Sequence, residues 1–117
     1  MLRGRYLLCP MNEESPAEID VDTFASCLEA KEVQVVDVRG RDEWDEGHLA
    51  AAWHLTLNDL PAAAESIEKQ RPVVFVCAGG NRSAMAAEAF RTAGYDAHSL
   101  EGGLKAWIAS GRELESQ

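Results

Sequence analysis

Two stretches of the chain are β-branched and almost wholly apolar: VQVVDV at positions 33–38 and VVFVC at 73–77. Unbroken runs of this kind mark strands covered on both faces, so both read as central parallel strands. Shorter strands are expected at Ile19, at an edge, and over 53–55 and 97–100. Helical spacing fills the gaps. Asp20 can cap a helix in which Phe24, Cys27 and Leu28 fall at i, i+3 and i+4, ending near Ala30. Pro61 enters a helix running to about Lys69, which Arg71-Pro72 breaks. Met85, Ala86, Ala89 and Phe90 turn inward on a third helix that Gly94 stops, and Leu104, Trp107 and Ile108 mark a last short one ended by Gly111. Strands alternating with helices imply right-handed crossovers. The expected fold class is α/β, a mostly parallel central sheet with helices on both faces.

Residues 1–16 lack periodicity, carry Pro10 and Pro16, and read as a flexible tail. The domain is expected over 17–112, with a short C-terminal tail at 113–117. At 117 residues the chain suits one domain burying roughly 66% of its unfolded surface, enough for a core without disulfides or a structural metal. The longest apolar run has six residues, far short of the roughly 20 a bilayer requires, and MLRGRYLLCP lacks the cleavage pattern of a signal peptide. No membrane association is expected.

Charge narrows the partners further. Twenty acids against eleven bases give a net charge of -9, which disfavours a nucleic-acid surface. Seven acids lie between positions 11 and 32, whereas 73–83 contain no acid and one base, Arg82. Any anion site belongs there. Three cysteines, Cys9, Cys27 and Cys77, show no CxxC spacing, which argues against a disulfide framework and a zinc site and fits a reducing cytosol. His54 and His98 lack metal-ligand neighbours at useful spacing, so neither metal nor cofactor is expected.

In open parallel sheets ligands bind beyond the carboxyl ends of strands, where loops lead into helix N-termini. Cys77 occupies that place and is followed by Ala78, Gly79, Gly80, Asn81, Arg82 and Ser83. The glycines permit the backbone to turn successive N–H groups toward one point, and the next helix adds its positive end. An anion cradle around a sulfur should hold the Cys77 pKa below the usual ~8.5, with Arg82 adding a full charge. Singly, a cysteine closing a strand is more often inert core; the combination with Gly-Gly, Arg, Ser and a helix points to a nucleophile.

With these residues in place, the chain resembles a single rhodanese domain, of the sulfurtransferase family, over about positions 17–112. The matching pieces are VVDVRGRDEW (35–44), GHLAAAWHL (47–55), VVFVCAGGNRSAMAA (73–87) and GYDAHSLEGGLKAW (94–107). The resemblance implies an enzyme in which the Cys77 thiolate takes a sulfane sulfur from a donor such as thiosulfate and passes it to cyanide or a thiol. Donor and acceptor are small molecules or partner proteins. Amides from Ala78 to Ser83 would hold the anionic sulfur while Arg82 steers the donor. Ala51, His54 and Thr56 stand where the family favours glycine, asparagine and proline, which touches the shape of that loop.

Other motif residues read as architecture. Asp37 and Arg39 bracket the end of a buried strand and would fix the neighbouring loops, with Glu43 a partner for Arg39. His48 is either a packing residue or a proton shuttle. Cys27 reads as buried and inert, and Cys9 as either a spare exposed thiol or a relay for Cys77 on a mobile tail. Phosphatases and arsenate reductases of the same fold are the nearest alternative, yet they place five residues between cysteine and arginine. Here there are four, a ring suited to a sulfur atom rather than a phosphoryl group. A non-catalytic binding module is the remaining alternative, which commonly lacks the cysteine.

Overall fold

The computed structural model describes Cys9, Met11 and residues 15–115. Five strands, β1 (Glu18–Ile19), β2 (Gln34–Asp37), β3 (Trp53–His54), β4 (Val73–Val76) and β5 (Ala97–Leu100), form one sheet in the order β1-β5-β4-β2-β3. Every strand pair in it is parallel. Helices α1 (Val21–Ala30), α2 (Arg41–Asp45), α3 (Leu60–Ala63), α4 (Asn81–Thr92) and α5 (Gly103–Ala109) supply the connections. The α/β class and parallel sheet read from the sequence are those of the structure. Among the described residues, no helix is long and apolar enough to cross a membrane.

The unbroken apolar strands are explained by cores on both sides of the sheet. Val35, Val74 and Val76 face one cluster with Phe24, Leu100, Leu104 and Trp107, beneath α1 and α5. Their neighbours Val36, Val73 and Phe75 face the other, with Leu60 of α3, Ala86 and Phe90 of α4, and Ile67 from the segment between them. Alternation is present in geometry but hidden in composition because neither face meets water. Asp20 caps α1 through a 2.8 Å hydrogen bond from the Thr23 N–H, as its spacing predicts.

Three expectations change here. The helix expected to reach about Lys69 is the single turn of α3 flanked by 3₁₀ turns at 57–59 and 64–66. Ile67 leaves helical geometry to bury its side chain in the core, and the Gln34 amide then ties down the Glu68 backbone from both sides, at 2.9 Å each way. On α4, Met85 and Ala89 face outward; Ser83, Ala86, Ala87 and Phe90, at i, i+3, i+4 and i+7, face the sheet. A one-position error in phase would turn the helix by about 100°.

The third change concerns the cysteines. Cys9 and Cys27 form a disulfide, and both are buried with Met11 in the core beneath α1 and α5. The Cys9 N–H donates to Glu32 Oε1 at 2.8 Å, fixing the segment beside α1. Cys9 is therefore neither exposed nor available as a relay, and it packs on the face of the sheet opposite Cys77. An odd count hid the pair, since two of three cysteines suffice. The bond also removes the ground for inferring a reducing compartment. Near the other end, Leu114 packs against the same core and Glu115 pairs with His48 through two 2.7 Å backbone hydrogen bonds. Positions 1–8, 10, 12–14, 116 and 117 of the expected tails lie outside the described residues.

Candidate active site

Cys77 follows the last residue of β4, at the carboxyl end of the middle strand of the sheet, and is the free thiol among the described residues. Beyond it the chain turns through Gly80, whose φ of 103° lies in the left-handed region, and enters α4. That turn aims N–H groups back at the sulfur. Gly80 N–H reaches Sγ at 3.2 Å and Ser83 N–H at 3.3 Å, while the Ser83 hydroxyl lies 3.4 Å away. Burial raises the thiol pKa, but the Ser83 hydroxyl and the amides of Ser83, Gly80 and Arg82 outweigh it, so the pKa falls below its ordinary value. Ala78, Gly79 and Asn81, expected to join this ring, make no hydrogen bond to Sγ and instead shape the loop.

The loop is held from outside by α5. Leu104 N–H donates to the Cys77 carbonyl at 2.8 Å and Lys105 N–H to the Ala78 carbonyl at 3.0 Å. Pinning these carbonyls fixes the start of the loop that carries the Gly80 and Ser83 amides to the sulfur. The contact requires Gly103, at φ 67°: a β-carbon there would lie 2.6 Å from both the Ala78 carbonyl carbon and the Cys77 oxygen. The short helix marked by Leu104, Trp107 and Ile108 was legible, but the packing of its first residue on the cysteine loop joins residues 26 positions apart and carries no local signal.

Arg82 does not stand free. Its guanidinium grips Glu43 with two hydrogen bonds, Nη1 to Oε1 at 2.8 Å and Nη2 to Oε2 at 2.9 Å. Arg82 holds the Glu43 carboxyl down to about 2, and the Gly40 N–H on Oε1 adds to the effect. This corrects the pairing of Glu43 with Arg39. Arg39 folds back on the strand end instead: Nε reaches Asp37 Oδ1 at 3.0 Å and Nη2 reaches Oδ2 at 2.8 Å. Its Nη2 also donates to the Gly47 carbonyl at 2.7 Å, so Asp37 and Arg39, both buried, tie β2 to the loop before His48. With Arg39 thus engaged, Glu43 on the first turn of α2 meets the start of α4.

His48 is buried and stacks on Trp44, ring centres 3.6 Å apart and planes nearly parallel, with Nδ1 donating to the Trp44 carbonyl at 2.9 Å. His54 covers Trp44 at 4.7 Å and donates from Nε2 to the Arg39 carbonyl at 2.8 Å. The lone aromatic of the charged segment is thus held between two imidazoles, a contact that sequence reasoning missed. It fixes α2, and with it Glu43, against the loop.

The arrangement defines an α/β domain that presents one cysteine in an amide-lined loop at the carboxyl end of a central strand. The family model of the rhodanese-like domain matches residues 20–110, and the chain belongs to that family. It is 34% identical over 90 residues to the thiosulfate sulfurtransferase GlpE of Shewanella oneidensis, covering 76% of this chain and 89% of that protein. It is 32% identical over 91 residues to the putative sulfurtransferase YtwF of Bacillus subtilis, covering 77% and 88%. Among solved structures, a rhodanese-like domain protein from Staphylococcus aureus matches with a TM-score of 0.77 and 36% identity, over 87% of this chain and 99% of that one.

Proposed function

We propose that the protein is a sulfurtransferase in which Cys77 carries a sulfane sulfur as a persulfide. The observation that carries this reading is a buried thiol within hydrogen-bond distance of two amides and a hydroxyl, in a chain similar to thiosulfate sulfurtransferases. The thiolate attacks the outer sulfur of thiosulfate. A new S–S bond forms at Sγ, the sulfur–sulfur bond of thiosulfate breaks, and sulfite leaves with the electron pair. Cyanide or a thiolate then attacks the outer sulfur of the persulfide, and the Cys77 thiolate returns. No external oxidant is needed, and the thiolate that the loop favours attacks without a general base.

Burial bears on the order of events. The Cys77 residue is 1% exposed, so the transferable sulfur, one bond further out, is the atom an acceptor meets. The same amides that favour thiolate favour the persulfide anion. Because Arg82 is paired with Glu43, these amides rather than a free cation are the main electrostatic support for an anionic donor. Four residues between cysteine and arginine favour a sulfur over a phosphoryl group in the ring.

The test is direct. Incubation with thiosulfate should add one sulfur, about 32 Da, to the Cys77 peptide, and cyanide should remove it as thiocyanate. Cys77→Ser should lose both signals while keeping the wild-type circular dichroism spectrum. A wild-type protein that takes up no sulfur, or a serine variant that still turns over, refutes the assignment.

A further inference from the structure

Two buried hydroxyls stand in line behind the candidate nucleophile. Ser83, on the first turn of α4, and Ser99, on β5, are 0% and 1% exposed, and their Oγ atoms lie 2.7 Å apart. Ser83 Oγ is also 3.4 Å from Cys77 Sγ and 3.2 Å from the Gly80 carbonyl. The Ser99 N–H is engaged by the Ala17 carbonyl at 2.7 Å, and among the described residues the Ser99 hydroxyl is hydrogen-bonded to Ser83 Oγ.

Counting protons gives this line a direction. A serine hydroxyl has one proton to donate and two lone pairs to accept with. Ser83 has three neighbours competing for its proton: the Gly80 carbonyl, Ser99 Oγ and, once the thiol ionises, the sulfur anion. If Ser83 donated to Ser99, the buried Ser99 proton would be left without an acceptor, which is costly. Ser99 therefore donates to Ser83. With Cys77 as a thiol, Ser83 accepts from both Ser99 and the S–H and donates to Gly80. With Cys77 as a thiolate, Ser83 still accepts from Ser99 and turns its proton onto Sγ. All groups are satisfied in both states, and a hydroxyl that accepts while it donates is the stronger donor.

We propose that Ser99 is a positioning residue for the Cys77 anion: its hydroxyl donates into Ser83 Oγ and so directs the Ser83 proton to Cys77 Sγ. Ser99 touches neither donor nor acceptor and acts through Ser83. Its role for catalysis rests on Cys77 being the sulfur carrier, but its effect on the thiol does not.

The experiment is peptide-resolved alkylation of the unreduced protein by iodoacetamide across pH, in which Cys9 and Cys27, joined as a disulfide, do not react. Wild-type Cys77 should show a midpoint below the usual ~8.5. Ser99→Ala should raise it by about half a unit, the size expected when a charge-assisted hydrogen bond loses a cooperative neighbour. Ser99→Thr, which keeps the hydroxyl, should restore the wild-type midpoint, and Ser99→Ala added to Ser83→Ala should give no further shift. Should Ser99→Ala fail to fold, Ser99→Cys keeps the volume, replaces the hydroxyl by a much weaker donor and carries the same expectation. An unchanged midpoint in the folded variant, or a full shift that persists without Ser83, overturns the proposal. Because the readout is thiol reactivity, a protein that fails to take sulfur from thiosulfate would count against the sulfurtransferase reading and leave this test intact.

Discussion

Gly103→Ala should damage the cysteine loop from 26 positions away, and the size of the effect follows from the structure. Gly103 has φ 67°, where an L-residue costs about 1–2 kcal/mol more than glycine. The added β-carbon would sit 2.6 Å from the Ala78 carbonyl carbon and the Cys77 oxygen. That is about 1 Å inside the ~3.5–4.0 Å at which non-bonded carbons rest. Both obstacles are backbone, so no side chain can swing aside. Relief requires α5 and the loop to separate, which stretches the hydrogen bonds from Leu104 N–H and Lys105 N–H to the Cys77 and Ala78 carbonyls. Strain and weakened hydrogen bonding together come to about 3 kcal/mol.

For a domain of this size that corresponds to a fall in Tm of roughly 12 °C. A second signature should accompany it: carbonyls no longer pinned let the amides of Gly80 and Ser83 drift from Sγ, so the alkylation midpoint of Cys77 rises. Calorimetry reads the first effect and iodoacetamide kinetics the second. Gly79→Ala is the control, because Gly79 lies two residues from Cys77 yet a β-carbon there meets nothing within 4 Å. Sequence proximity would make Gly79 the more sensitive position; the packing argument makes it Gly103. A Gly103→Ala protein within about 2 °C of wild type, with unchanged thiol reactivity, refutes the reasoning.

Two further outcomes are expected. Asp37→Asn removes the charge that the buried Arg39 folds against and should destabilise the protein by about 3–5 kcal/mol in urea unfolding, with no change in m; a loss under 1 kcal/mol would mean that Gly47 and solvent satisfy Arg39 unaided. Glu43→Gln frees Arg82 and removes a carboxylate from the loop rim, so KM for thiosulfate should fall by a factor of about five while KM for an uncharged donor holds, a difference of ~1 kcal/mol. Equal changes with both donors would show the clamp to be purely architectural. The Glu43 carboxyl lies lower in the fold, at about 2, than its ordinary 4.5, so its contribution is complete above 4.5 and disappears as pH falls through about 2. With both partners 37% exposed, screening limits that contribution to ~1 kcal/mol at most.

What could be read from the sequence was what is local. Strands β2 and β4 were legible because residues buried on both faces leave no polar alternation, and α1 because Asp20 and the Phe24-Cys27 face act within one or two turns. The cysteine loop was legible for the same reason: Cys77, Gly80 and Ser83 lie within seven residues, so their hydrogen bonds close over a short span. Chemistry assembled across the sheet was not. Gly103 meets Ala78, Ser99 meets Ser83, and the two histidines enclose Trp44 only once parallel crossovers have brought distant segments together. The Cys9–Cys27 bond belongs with these, since 18 positions and an odd count gave no spacing to recognise.

Arg82 shows most clearly what residue type alone leaves out. A lone cation in an acid-free stretch reads as a free anion receptor, because the charge count covers neighbours in sequence and not neighbours in space. In the fold, Glu43 lies 39 positions away and accepts both terminal nitrogens. The pair cancels much of the charge that a donor would feel. Much of what supports an anion is then the set of amides, on a loop that α5 holds through the Cys77 and Ala78 carbonyls. An anion site built this way resists removal of Arg82 better than it resists a methyl group at Gly103. Thiosulfate turnover in Arg82→Ala should therefore exceed that in Gly103→Ala.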